Sequence, residues 1–253
     1  PRRSVPEMRV AVNGVVLNVE RVGDGHPLLL LHGFTGSLET WRPLLPAFAR
    51  HRSAIAVDLL GHGGSDAPTD PERYRMERCV EDLLALLDAL GVERADVLGY
   101  SMGGRVGLHL AAAAPGRVSA LVVESASPGL ADPAERHARA RDDEALAEAI
   151  ERDGVAAFVE RWERLPLFAS QAALPEDARA RLRRQRLAHT PWGLANSLRG
   201  LGVGVQEPLW SRLPGLALPA LRRPQSRAAR RRWLHAGDLH RTGARGLPGS
   251  ARP

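Results

Sequence analysis

Apolar and polar residues alternate from Met8 to Val22, with a break at Asn13-Gly14. A period of two on either side of an Asn-Gly pair predicts a β-hairpin with one half-buried face. The next apolar segment is different in kind. Pro27-Leu28-Leu29-Leu30-Leu31 is unbroken, as expected of a strand covered on both faces. Ser53 to Asp58, Ala95 to Leu98 and Val118 to Val123 are further strand candidates. Between them the period becomes helical. Glu39 to Arg50, after Ser37, reads as a helix with Pro43 in its early part. Met76, Val80, Leu83, Leu84, Leu87 and Leu90 mark one face of a helix over Arg73 to Leu90, stopped by Gly91. A further helical run covers Arg105 to Ala114. Strands alternating with helices predict an α/β fold on a mostly parallel, doubly wound sheet.

The texture changes at Pro128. Helical patterns rich in Arg, Glu and Ala follow, broken at Pro166, Pro175 and Pro191. The expected organisation is a core over 1–128, an inserted helical cap over 129–205, a return to the core over 206–221 and an irregular Arg/Pro/Gly-rich tail over 222–253. Such a cap would lie over the carboxyl ends of the strands, where open α/β sheets bind ligands. The tail shows neither a strand run nor a helical face, so the last core strands are expected to be missing.

Charge sharpens that boundary. The 253 residues carry a net charge of +6, and every basic residue is Arg. Nine of those arginines and a single acid, Asp238, fall in Leu221 to Pro253, which leaves 26 basic and 28 acidic residues in 1–220. The body is near neutral, so no nucleic-acid partner is expected. The tail reads either as an out-of-frame stretch of a GC-rich gene or as a lineage-specific extension. There is no apolar run of about 18 residues, so no membrane span is expected. Cys79 stands alone, which excludes an intramolecular disulfide and suits a cytoplasmic setting. Its helical position suits a small buried apolar residue. Metal-ligand spacings and phosphate-binding loops of the G-x-x-x-x-G-K type are missing, and no cofactor is expected.

The segment richest in chemistry is Gly99-Tyr100-Ser101-Met102-Gly103, between the strand ending at Leu98 and the helix opening near Arg105. A serine at the apex of a strand–turn–helix needs small neighbours, because larger side chains would collide with the strand and helix alongside. The turn also leaves backbone N–H groups free at a helix N-terminus, where negative charge is stabilised.

Three segments together resemble the α/β-hydrolases: His32-Gly33-Phe34-Thr35-Gly36, Asp58-Leu59-Leu60-Gly61-His62-Gly63-Gly64-Ser65, and Gly99 through Arg105. More narrowly, the chain is similar to the MenH enzymes, 2-succinyl-6-hydroxy-2,4-cyclohexadiene-1-carboxylate synthases of menaquinone biosynthesis. The narrower likeness rests on Arg105, Ser127 to Leu130, Glu135-Arg136, Arg139, Asp142-Asp143, Trp162, Pro166-Leu167-Phe168, Arg183 to Leu187 and Gly193 to Gly200, within residues 8–221. It implies a lyase that eliminates pyruvate, with Ser101 as the base. The backbone N–H groups of Phe34 and Met102 would form the oxyanion hole. The substrate would be a small polyanion. Arg105, Arg139 and Arg186 would grip its carboxylates, because a guanidinium can donate two parallel hydrogen bonds to one. Tyr100 and Trp162 would line the ring pocket. His32 and His62 read as loop architecture.

The order in this fold is serine, acid, histidine, which puts the last two beyond Leu221. Asp238 with His235 or His240 fits that spacing poorly, since Asp238 and His240 are only two residues apart. Two other readings therefore stand: a carboxylesterase or C–C bond hydrolase, and an inactive binding protein on the same fold.

Overall fold

The computed structural model describes residues 7–216. The predicted tail, with His235, Asp238 and His240, lies outside them. Six strands form one sheet in the order β1-β2-β4-β3-β5-β6. The hairpin is β1 (Met8–Val12) and β2 (Val15–Val22), joined by Asn13 and Gly14 at φ 45° and 81°. Two successive positive φ values are what a tight hairpin turn needs. β2 also pairs antiparallel with β4 (Arg52–Val57), while β3 (His26–Leu31), β4, β5 (Ala95–Tyr100) and β6 (Val118–Glu124) run parallel to one another.

The leucine run of β3 is covered on both faces, as its pattern requires. Leu29 and Leu31 enter one apolar cluster with α2 (Met76–Ala89) and α3 (Met102–Ala113), and Cys79 is buried in the same cluster. Leu30 points the other way, against Leu38, Trp41 and Leu45. The helix expected over 39–50 is not continuous. A short 3-10 turn, Leu38–Thr40, and one α turn, α1 (Leu45–Phe48), take its place. Pro43 and Pro46 explain the break, since each lacks an N–H and restrains the residue before it.

After β6, to the end of the described residues, the chain is helical apart from connecting turns. α4 (Pro133–Glu163) is interrupted at Gly154, φ 83°. A 3-10 segment, Pro166–Ala173, leads to α5 (Glu176–Leu187) and α6 (Pro191–Leu201). α4 and α6 enclose their own apolar cluster of Ala147, Ile150, Phe158, Val159, Leu194 and Leu198. Leu209 then re-enters the central cluster, its N–H donating to the Pro128 carbonyl at 2.8 Å. No helix among the described residues is long and apolar enough to cross a membrane.

Strand order places the site. β4 and β5 flank β3 on opposite sides, so successive connections leave β3 in opposite directions. The carboxyl ends at such a switch point open a crevice. Leu31 pairs with Gly99 there, which sets the loop after β3 beside the turn after β5.

Candidate active site

Ser101 sits between β5 and α3 at φ 52°, ψ −114°. Backbone of this kind is strained for a residue with a Cβ, and it persists only where its surroundings enforce it. Here they do. The Ser101 N–H donates to the Glu124 carbonyl at 2.8 Å, tying the turn to β6. A Cβ on Gly103 would fall on the Leu31 carbonyl, and one on Gly99 would fall on the Gly103 carbonyl. The glycine spacing is therefore enforced by backbone packed on backbone. The N-terminus of α3, beginning at Met102, opens directly after the serine.

The loop after β3 lies against this turn: a Cβ on Gly33 would stand 3.2 Å from that of Ser101. The Gly33 carbonyl accepts from His32 Nδ1–H and from the Gly36 N–H, both at 2.9 Å. In a trans peptide the C=O and the following N–H point in opposite directions. Anchoring the Gly33 oxygen thus turns the Phe34 N–H the other way. His32 is fully buried, and its Nε2 accepts the Leu59 N–H at 3.0 Å. The adjoining loop is built around Asp58, whose carboxylate accepts from the backbone N–H groups of Leu38 and Gly64 and from Asn18 Nδ2.

A third histidine, His189, joins this group from the α5–α6 connection. Its Nε2–H donates to the Thr35 carbonyl at 3.0 Å, and its Nδ1 accepts the Gly63 N–H at 3.3 Å. His62 stands between the other two rings, 5.0 Å from His32 and 5.1 Å from His189. Its Nδ1–H faces the Leu60 carbonyl. Burial lowers the pKa of all three. For His62 the proximity of His32 and His189 lowers it further, and His189 falls to about 4. All three are neutral at neutral pH. None hydrogen-bonds the Ser101 hydroxyl, so the described histidines serve the loops.

The cap supplies an aromatic wall. Trp162 meets Phe34 edge to face at 5.5 Å, Phe158 at 5.2 Å and Phe168 at 5.4 Å. The Arg186 guanidinium lies over Phe168 at 5.2 Å and pairs with Glu163 at 3.0 Å. Tyr100 is partly exposed; burial raises its pKa first and Glu124 adds to the shift, while Arg186 opposes it. Ser101, Phe34, Tyr100, Trp162 and Arg186 therefore surround one region.

Arg105 and Arg139 form a second group around Asp143. Arg139 Nε bonds the Asp143 carboxylate at 2.8 Å. Arg105 lies one turn after Ser101, its own N–H donating to the Ser101 carbonyl. One terminal guanidinium nitrogen donates to the Leu201 carbonyl and to Gln206 Oε1, each at 2.5 Å. No carboxylate among the described residues lies within salt-bridge distance of it. Burial, and secondarily Arg139, pulls its pKa down to about 10, with Asp143 opposing. It remains a cation at neutral pH. The unbonded oxygen of Asp143, Oδ2, is buried without a described partner, as is Gln206 Nε2.

Sequence reasoning assigned no role to His189, Asp58 or Phe168. His189 carries no periodic or spacing signal, because its partners are more than 120 residues away in sequence. Asp58 stood in a recognised segment, and its acidic type at a strand end was the available clue.

Residues 26–192 match the α/β hydrolase fold family. The chain is 46% identical over 194 residues to the putative 2-succinyl-6-hydroxy-2,4-cyclohexadiene-1-carboxylate synthase of Bacillus subtilis, covering 77% of this chain and 70% of that protein. It is 32% identical over 193 residues to the enzyme of the same name from Serratia proteamaculans, covering 76% and 73%. The solved structure of MenH from S. aureus superposes with a TM-score of 0.75 at 33% identity, over 80% of this chain and 77% of that one.

Proposed function

We infer that this chain, which belongs to the α/β-hydrolase fold family and within it to the MenH-like group, is a lyase of menaquinone biosynthesis. Its substrate would be 2-succinyl-5-enolpyruvoyl-6-hydroxy-3-cyclohexene-1-carboxylate. Ser101 removes a ring proton, electrons shift through the ring toward conjugation, and the C–O bond to the enolpyruvoyl group breaks. Enolpyruvate leaves and takes up a proton at its methylene carbon to become pyruvate, which balances the proton removed from the ring, and 2-succinyl-6-hydroxy-2,4-cyclohexadiene-1-carboxylate remains. The N–H groups of Phe34 and Met102 stabilise the negative charge that develops on the substrate. The acid and histidine that would activate Ser101 belong, by the order of this fold, to sequence outside the described residues.

The observation that carries this reading is Arg105. It is a half-buried cation one turn from the serine, bonded only to neutral oxygens. A buried charge with no carboxylate in contact is costly; Asp143 acts on Arg105 only from beyond salt-bridge distance, and a bound carboxylate would supply the contact. Arg139 and Arg186 are already paired with Asp143 and Glu163, and they would join the substrate by sharing or exchanging those partners. Trp162 and Tyr100 would flank the ring.

The test compares two substrates. Pyruvate release from the polyanion should fall about 100-fold in Arg105→Ala, as expected for losing one buried charge-assisted contact of roughly 3 kcal/mol. Hydrolysis of a neutral nitrophenyl ester should be nearly unchanged. Equal losses on both would overturn the polyanion reading. If a serine-directed phosphonate fails to label Ser101 in the intact chain, the protein is a binding member of the fold and not a lyase.

A further inference from the structure

The oxyanion loop is held from two sides. From the core side, His32 and the Gly36 N–H fix the Gly33 carbonyl. From the cap side, the last turn of α5 and the connection to α6 reach across. His189 holds the Thr35 carbonyl, while Gln185 Nε2 donates to Ser37 Oγ and Thr40 Oγ1, both at 3.0 Å. Thr35 itself stands at φ 64°, the left-handed region that a β-branched residue rarely enters. No cis peptide accounts for the turn. Something must hold that conformation, and the buried bond from His189 acts on the same residue.

We propose that His189 is a positioning residue: a cap-borne side chain that holds the oxyanion loop in its working shape, so that the Phe34 N–H is correctly aimed only while the cap is seated. The proposal rests on the reading of Phe34 as an oxyanion donor given above. The ring suits the task because both nitrogens are committed to backbone. Thr35 offers only an acceptor and Gly63 only a donor, so the tautomer is fixed with the proton on Nε2. The ring therefore links three segments: the loop after β3, the loop after β4 and the cap. A substrate that draws the cap down would tighten the oxyanion hole, and a cap that lifts would release it. Binding and chemistry are then coupled through one imidazole.

This role separates from simple stabilisation. His189→Leu removes both bonds. Its kcat should drop about 10- to 100-fold with KM little changed, the pattern of a lost transition-state interaction. His189→Gln retains an N–H that reaches Thr35 and should recover most of the activity. His189→Asn, too short for Thr35, should resemble the leucine variant even if the latter folds poorly. Trp192→Ala provides the control. It cuts another cap tether, the indole N–H to the Ala67 carbonyl at 2.8 Å, and should leave kcat unaltered.

A second readout does not need turnover. Backbone amide exchange in the segment 32–38 of the full chain should accelerate in His189→Leu and His189→Asn, and not in His189→Gln or Trp192→Ala. Unchanged exchange in the asparagine variant overturns the proposal, as does a rise in KM alone or a failure of glutamine to rescue. Both esters and polyanions use the oxyanion loop. A wild-type chain that cleaves the neutral ester yet releases no pyruvate therefore defeats the lyase reading alone, and the ester kinetics of the variants then decide this one.

Discussion

The loops after β3 and β4 and the helical cap meet at the same crevice, yet they are held by different forces. In the loops, the buried polar side chains end largely on peptide groups: His32 on Gly33 and Leu59, Asp58 on Leu38 and Gly64, His62 on Leu60, with His189 reaching in from the cap to Thr35 and Gly63. Within the cap, the charged side chains pair with one another: Arg139 with Asp143, Arg186 with Glu163, and Arg199 with both Glu144 and Glu151. Bonds to backbone fix geometry. Ion pairs fix charge, and a carboxylate from outside can replace one partner. On the lyase reading proposed above, the half that would hold a donor in place is built the first way, and the half that would admit a polyanion the second.

Three measurements test that contrast. The largest effect belongs to the backbone half. Gly103→Ala drives a methyl into the Leu31 carbonyl, and neither side of that contact is a flexible side chain. The loss should exceed about 3 kcal/mol, the upper range for overpacking, read as a collapse of the thermal transition or of soluble yield. A stable, active alanine variant would show that the elbow tolerates far more adjustment than its packing implies.

Acid comes next. His189 titrates near 4 in the folded chain against 6.5 when unfolded, and burial lowers His32 and His62 as well, with Asp58 facing His32 and His189. The folded state disfavours the proton, so this stability is complete above pH 6.5 and is lost as pH falls toward 4. His189 alone should remove up to about 3 kcal/mol over that window, at 1.36 kcal/mol per unit. Urea unfolding at neutral and mildly acidic pH measures it, and His189→Gln should flatten the dependence.

Arg199→Ala should have the smallest effect. Its pairs with Glu144 and Glu151 lie near solvent, so the cost should be about 1 kcal/mol or less and should shrink in high salt. A cap more sensitive to salt than the loops are to acid would reverse the comparison.

The same contrast decides what was legible in the sequence. The hairpin at Asn13-Gly14, the leucine run of β3 and the glycines about Ser101 are local patterns, and each announced its structure. The helix expected over 39–50 failed because its apolar spacing was outweighed by Pro43 and Pro46. The kink at Gly154 was not anticipated within a long helical pattern. The cap arginines could be named, and the Arg139–Asp143 pair is a local i,i+4 pair within α4, but Arg186 meets Glu163 only through the way α5 docks on α4. His189 was invisible for the same reason. Its meaning lies entirely in a loop more than 150 residues earlier, the one holding Thr35.

Phe34 combines two duties that do not depend on each other. Its N–H is aimed by a carbonyl belonging to its neighbour, while its ring helps form the aromatic wall with Trp162 and Phe158. The position can therefore change its side chain without changing its donor. On the oxyanion reading, a lineage could widen, narrow or reshape the pocket here, one substitution at a time, and keep the donor. On that reading, the residue that would donate to the developing charge is also one whose side chain helps shape what reaches it.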